Sequence, residues 1–397
     1  MRISRPLESG RVPCAVIMKI VIAPDSFKGS LTAKEACVAI KSGVLKAVPD
    51  AEVVMIPMAD GGEGTTRSLV DALGGEMIRC RVLNPLGETI TAEYGILSDN
   101  TAVIEMAEAS GLTLIEKGRR DPMRSTTYGT GEMIRDALDR GCRSFILGIG
   151  GSATNDGGAG MAQALGFGLL DRNGRQIPFG GAGLAEIHRI DKSTADPRIR
   201  ESKFIVACDV DNPLCGENGA SHIFGPQKGA TPEMIEILDK NLGYFADIIE
   251  RDMGVSVKDT PGAGAAGGLG AGMLALLGAS LRRGVDIVID AVGLKASLRG
   301  ADLVITGEGS CDFQTVKGKT PYGVAKTAQQ LGVPAVVIAG NVGTGAEALY
   351  DHGVVGIFTL VNGPVSLDRA IEKAGSLLED AAARTVYCIS QFMGKMK

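Results

Sequence analysis

The stretch KIVIAPDSFKGSLTAKEACVAIKSGVLKAVPDAEVVMIPMAD, residues 19–60, opens on an apolar strand, KIVIAP (19–24). A loop carrying Asp25, Ser26 and Lys28 leads into residues 32–47, whose apolar positions recur at helical spacing. A second strand, 51–59, runs into Asp60 and the glycines of ADGGEGT, and a short helix over 65–73 completes a βαβα unit. Such a unit predicts parallel strands with helices packed on the sheet.

The same alternation returns after residue 285: ADLVITGEG, a helix at 322–331, PAVVIAG, a helix at 344–351, VVGIFTL and a final helix from about 366. Between these ends the texture differs. From residue 77, short strands such as MIRCRVLNPLGETITAEYGIL and TAVIEMA are joined by Pro-Leu-Gly and Asp-Asn turns, which predicts hairpins and a mixed sheet. A helix at 129–140, a strand at 143–149, a helix at 157–166 and the strand KFIVACD (203–209) follow, punctuated by two Gly-rich segments read as linkers, FGGAGLAEI and PGAGAAGGLGAG. The expected fold is therefore α/β with two domains. Residues 18–80 plus 290–397 form a discontinuous Rossmann-like parallel-sheet domain, and 81–289 form a mixed-sheet α/β domain inserted in it. Residues 1–17 precede a methionine at which a domain could begin cleanly, and are expected to be a disordered extension.

Composition narrows the function. A chain of 397 residues exceeds what one growing core accommodates, and a net charge of -5 offers no basic surface for nucleic acid. With 56 glycines, no tryptophan and 4% aromatics, the chain favours tight loops and close backbone approach over aromatic stacking. The eight cysteines form no C-x-x-C pair and the three histidines are scattered, so no zinc spacing exists. The thiols are read as reduced and the protein as cytoplasmic. No apolar stretch reaches bilayer length. A homo-oligomer is left open.

Several strand ends carry the same kind of loop: Asp25, Ser26 and Lys28; Asp60 and Glu63; Asp209 and Asp211 in IVACDVDNPLCG; Glu308 and Asp312 in VITGEGSCDFQT. Any one alone is an ordinary turn. Repeated at strand after strand, carboxylates beside hydroxyls and glycines suit Mg²⁺, which prefers oxygen ligands, and glycine-loop N–H groups suit phosphate. RSFILGIGGSATNDGG (143–158) fits such an anion nest; it fits equally a helix N-cap by Thr154, Asn155 or Asp156.

Three apparent motifs fail on context. GAGAAG (262–267) matches a dinucleotide fingerprint, but the VSVKDTP before it is a poor buried strand. KGKT (317–320) lacks the glycine of a P-loop, having Phe313 in its place. Ser26, Ser152 and Ser310 sit in no G-x-S-x-G elbow.

Taken in order, KIVIAPDSFKGSLTA, PMADGGEGT, AVIEMAEASGL, TTYGTGEMI, GIGGSATNDGG, ACDVDNPLCG, FGPQKGA, PGAGAAGG and TGEGSCDFQTVKGKTP resemble the bacterial type-1 glycerate kinases, from Met18 nearly to the C-terminus. The resemblance implies two α/β domains, one inserted in the other, and ATP-dependent, Mg²⁺-assisted phosphorylation of D-glycerate to 2-phosphoglycerate, with 3-phosphoglycerate as the alternative product. One departure stands out: where the family pattern reads G-E-G-R-I-D, this chain has Ser310 and Cys311 between Gly309 and Asp312.

Within that resemblance, Asp60 or Asp25 is expected as base or hydroxyl-orienting group, and Lys28 as the cation on the transferred phosphate or on the glycerate carboxylate. Asp209 and Asp211 are the Mg²⁺ candidates, with Glu308 a third. Gly150, Gly151, Ser152, Thr154, Asn155, Gly307 and Glu308 would hold nucleotide and phosphate, and Ser26, Arg124, Thr126 and Thr127 the substrate. The competing readings are a phosphometabolite sensor without turnover, and an oxidoreductase resting only on Gly262–Gly267.

Overall fold

The computed structural model describes residues 17–62 and 64–396, so the expectation for the N-terminal segment falls almost entirely outside the described residues. The strands are β1 (Lys19–Ile22), β2 (Glu52–Met55), β3 (Gly75–Leu83), β4 (Thr89–Leu97), β5 (Thr101–Glu105), β6 (Ser144–Gly148) and β7 (Gly168–Leu170). They continue as β8 (Arg189–Asp191), β9 (Lys203–Ala207), β10 (Ser280–Arg282), β11 (Leu303–Cys311), β12 (Ala335–Val342) and β13 (Val354–Thr359).

Five of these form a wholly parallel sheet in the order β13-β12-β11-β1-β2. β1 lies inside it with Ile20, Val21 and Ile22 fully buried, which is why a central parallel strand reads as an unbroken apolar run. Ile20 and Ile22 face a core closed by the helices Ala33–Ala47 and Ala374–Met396. Thr32 and Glu35 start the first helix with a reciprocal capping box. At Gly43 the two helices approach so closely that a side chain would strike the Glu379 carbonyl.

The second sheet is mixed, in the order β10-β9-β6-β5-β4-β3, with β3 to β5 antiparallel and β5, β6, β9 and β10 parallel. β3 pairs with β4 over its whole length, so the chain joins the second sheet at Gly75. It returns between β10 and β11. Val21 and Val304 of the first sheet share one core with Val103, Ile146 and Ala207 of the second, with the helices Thr65–Leu73, Gly284–Ala291 and Thr320–Gln329 packed into it. β7 and β8 pair as a separate two-stranded antiparallel sheet, and the fold class is the α/β architecture expected, with one parallel and one mixed main sheet.

Both linker readings need correction. FGGAGLAEI carries the 3-10 turn Gly183–Glu186, and its buried Gly180 and Gly183 pack against the Met123 and Pro178 carbonyls. PGAGAAGGLGAG is no linker: it leads into the buried helix Ala265–Leu277, whose glycines let backbones meet. A side chain at Gly267 would strike the Thr154 carbonyl, and one at Gly272 that of Gly157. No strand precedes it, which disposes of the dinucleotide reading.

Candidate active site

Parallel strands from both sheets deliver their carboxyl ends to one region, the usual ligand position of open α/β sheets. On the first sheet, the Asp25 N–H donates to the Gly307 carbonyl at 2.8 Å, carrying the ladder past β1. Its buried carboxylate accepts from Ser26 N–H and Thr320 Oγ1, both at 2.6 Å. Burial, aided by the charge of Asp60, pushes its pKa up to about 6 against the opposing pull of Thr320, Ser26 and Lys28. Glu308 lies beside it, likewise buried, accepting from Thr315 Oγ1 at 3.0 Å with Lys319 Nζ at 3.9 Å. Burial raises Glu308 to about 7, and Asp25 and Asp60 add to the rise.

Asp60 is the shared member. Its charge acts on Asp25, on Glu308 and, across the inter-sheet junction, on Asp209. Two glycines make this approach achievable: a Cβ on Gly61 would lie 2.5 Å from the Gly284 Cα and 3.2 Å from the Ala207 side chain. Gly61 also has φ +90°, a region open mainly to glycine. Glu105, at the end of β5, anchors the start of the helix that follows this loop. Its carboxylate accepts from Gly64 N–H at 3.1 Å and Thr66 N–H at 2.8 Å, at the start of the helix Thr65–Leu73.

On the second sheet, a cavity of about 310 Å³ is lined by Gly61, Gly150, Gly151, Ser152, Asp209 and Lys228. Among the described residues, the N–H groups of Gly150, Gly151 and Ser152 have no partner within the chain. Asp209 accepts from Gly284 N–H at 3.1 Å. Burial raises its pKa to about 6, with Asp60 adding and Gly284 and Arg283 opposing. Ala266, also on the cavity wall, holds a left-handed φ of 55°, followed by Gly267 and Gly268 in the same region, strain of the kind that collects at functional sites.

The expected site residues thus divide. Asp25, Asp60, Asp209 and Glu308 come together. Gly307 and Glu308 group with Asp25, apart from the Gly150–Ser152 loop with which they were expected to share phosphate. Ser26 and Lys28 line a separate shallow recess with Gly29, Thr32 and Gly64. Thr154 and Asn155 are not on the cavity wall: both are fully buried, with Asn155 Nδ2 donating to Ser221 Oγ at 3.0 Å. Thr126 and Thr127 are buried as well. Thr127 gives its N–H and hydroxyl to Asp156, which also accepts from Gly158 and Gly160 N–H. Asp156 thus takes up N–H groups around the start of the helix Ala159–Ala164, whose N-cap position is Gly158, while those of residues 150–152 are left without a partner among the described residues. Burial raises the Asp156 pKa despite these four bonds. Arg124 and Asp211 are exposed, and Ser310, in the divergent position, lies exposed on β11 beside Asn341. Glu63 lies outside the described residues.

The residue reading missed Glu105 and Lys228. Glu105 had no local sign, because its partners lie some forty positions away. Lys228 sits in the conspicuous FGPQKGA, and its burial is a tertiary fact.

The sequence pattern of the glycerate kinase family matches residues 20–390. The chain belongs to the glycerate kinase family. It is 55% identical to a glycerate kinase of Halalkalibacterium halodurans over 94% of this chain and 98% of that one. It is 49% identical to the glycerate 2-kinase of Escherichia coli over 90% and 94%. A crystal structure from Salmonella typhimurium LT2, assigned as glycerate kinase 2, superposes with TM-score 0.88 at 48% identity, covering 95% of this chain and all of that one. Family membership makes the chain a kinase. No helix among the described residues is long and apolar enough to cross a membrane.

Proposed function

We propose that the protein transfers the terminal phosphoryl group of ATP to the 2-hydroxyl of D-glycerate, yielding 2-phosphoglycerate, with Mg²⁺ as the assisting ion. The observation that carries this reading is that the charge of Asp60 acts on Asp25 and Glu308 on one sheet and on Asp209 on the other, near a loop of unspent N–H donors. Phosphoryl transfer asks a protein for alignment, charge neutralisation and a proton acceptor. In this reading Asp60 accepts or orients the hydroxyl proton, Asp25 is its buried neighbour, and Lys28, whose charge acts on Asp25, meets the transferred group. Gly150, Gly151 and Ser152 supply backbone donors to phosphate oxygens.

Among the described residues no three His, Cys, Asp or Glu side chains form a ready cage for a metal ion. That suits Mg²⁺ in a kinase, which is held by one or two carboxylates together with substrate phosphates and water. The mutually repelling Asp60 and Asp209 would hold it, with Asp211 exposed two residues on; the ion neutralises phosphate charge when bound. The name of the Escherichia coli relative favours the 2-hydroxyl. A coupled assay should show ADP release that depends on glycerate, and phosphorus NMR should show the phosphoryl group on carbon 2. Binding without turnover would leave a sensor, and a product carrying phosphate on carbon 3 would reverse the regiochemistry.

A further inference from the structure

We propose that Lys228 is the buried cation that receives an oxyanion of a substrate, the glycerate carboxylate or the nucleotide's terminal phosphoryl group, inside the cavity lined by Gly150–Ser152 and Asp209. This rests on the kinase reading above and adds to it a binding residue that the reading does not use.

Lys228 is 1% exposed, yet it is on the cavity wall. Its backbone is pinned: the Lys228 N–H donates to the Gly225 carbonyl, and Gly229, at φ +93°, packs against Arg120 so tightly that a Cβ would sit 2.5 Å from the Arg120 carbonyl. The ammonium carries three donors, and one is used, to the Thr154 carbonyl at 2.7 Å. No ion pair with a carboxylate reaches it among the described residues. Asp156 is near enough for its charge to act on Lys228, but its oxygens already accept from Thr127, Gly158 and Gly160. A cation buried without an ion-pair partner is costly unless something supplies the missing anion. Here the burial depresses the ammonium to about 7, against the pull of Asp156. The cavity beside it offers three free N–H groups and opens to Asp209, so an oxyanion there gains both the N–H bonds and the restored charge.

Other ionisable groups stand on the surrounding segments. Asp156 belongs to the loop beneath, and Asp209 lines the cavity. Arg120 donates to the Gln227 carbonyl, and His222, on the adjoining helix, pairs with Glu236. Asp209, raised to about 6, is the group whose protonation must be separated from that of Lys228.

The test is proton balance. Calorimetric titration of the full-length protein with D-glycerate, and separately with a non-hydrolysable ATP analogue plus Mg²⁺, in buffers of different ionisation enthalpy near neutral pH, reads protons taken up on binding. The wild type is expected to take up part of a proton with one ligand. Lys228→Met should abolish that uptake and weaken the same ligand by about tenfold to hundredfold, the range for a hydrogen bond to a charged group, with the other ligand little changed. Lys228→Arg, charged at all pH values, should bind without uptake. Uptake with glycerate assigns the carboxylate, and uptake with the analogue assigns the phosphoryl group. No uptake by the wild type with either ligand overturns the proposal even if Lys228→Met fails to fold, and so does uptake that persists in Lys228→Met, which would assign it to Asp209 or Glu308. The kinase reading is checked apart from this, by glycerate-dependent ADP release of the wild type.

Discussion

Gly61 and Gly284 hold the two sheets in backbone contact: a side-chain carbon on either would stand 2.5 Å from the other's Cα. Gly284 also presents its N–H to Asp209 and packs on the carbonyl of Asp60, so both carboxylates depend on this contact. Gly284→Ala should push the loop carrying Asp60 away from β9. The expected cost is about 1–3 kcal/mol, as for overpacking, together with a fall in kcat. Chemical denaturation and steady-state kinetics on the same sample would check both; unchanged kcat would mean the contact is structural only.

Asp60→Asn removes the charge shared by both halves while keeping its shape. Turnover is expected to drop by about two to four orders of magnitude, the range for acid–base catalysis, with modest change in nucleotide affinity. Near-normal turnover in the folded variant would take Asp60 out of the chemistry.

Lys28 acts on Asp25 from an exposed position. Lys28→Ala should lower kcat more than it raises the glycerate KM if the residue serves the transferred phosphate. A rise in KM alone would move it to the substrate carboxylate.

Glu308 carries its proton to about 7, against an ordinary 4.5. Because the folded pKa is the higher one, its contribution favours the folded state fully below about pH 4.5 and is lost as pH climbs through 7. Glu308→Gln should therefore gain stability at neutral pH, on the order of 1–3 kcal/mol, and flatten the decline between those values. Denaturant midpoints measured across this window would show it; a midpoint that drops at neutral pH would mean that the Thr315 and Lys319 contacts outweigh burial.

Glu105→Ala should loosen the start of the helix Thr65–Leu73 by removing two charge-assisted bonds at its positive end. A loss of about 1–2 kcal/mol is expected, with a lower melting temperature and faster amide exchange in residues 64–68. Unchanged exchange there would show that packing alone fixes the helix.

The helix Ala33–Ala47 was readable to within a residue because its cap and its apolar spacing are local, and Asp25, Asp60, Asp209 and Glu308 were conspicuous because each follows an apolar run. Local chemistry misled where burial reversed it. Thr154, Asn155 and Thr127 have the hydroxyls and amide of a phosphate cradle, yet neighbours far along the chain turn them inward. The run at 262–272 has a linker's composition, yet its glycines serve close packing in a core.

Residue order alone settled the alternation of strands and helices, the two sheet types and the acidic, glycine-rich strand ends, since these follow from periodicity and turn chemistry over a few positions. Tertiary structure alone decided that the charge of Asp60 acts on carboxylates of both sheets, that Glu105 holds the start of the helix Thr65–Leu73 and that Lys228 lies buried against a cavity. Those relationships are set by parallel register and by the approach of Gly61 to Gly284, across more than two hundred residues of chain that no local pattern spans.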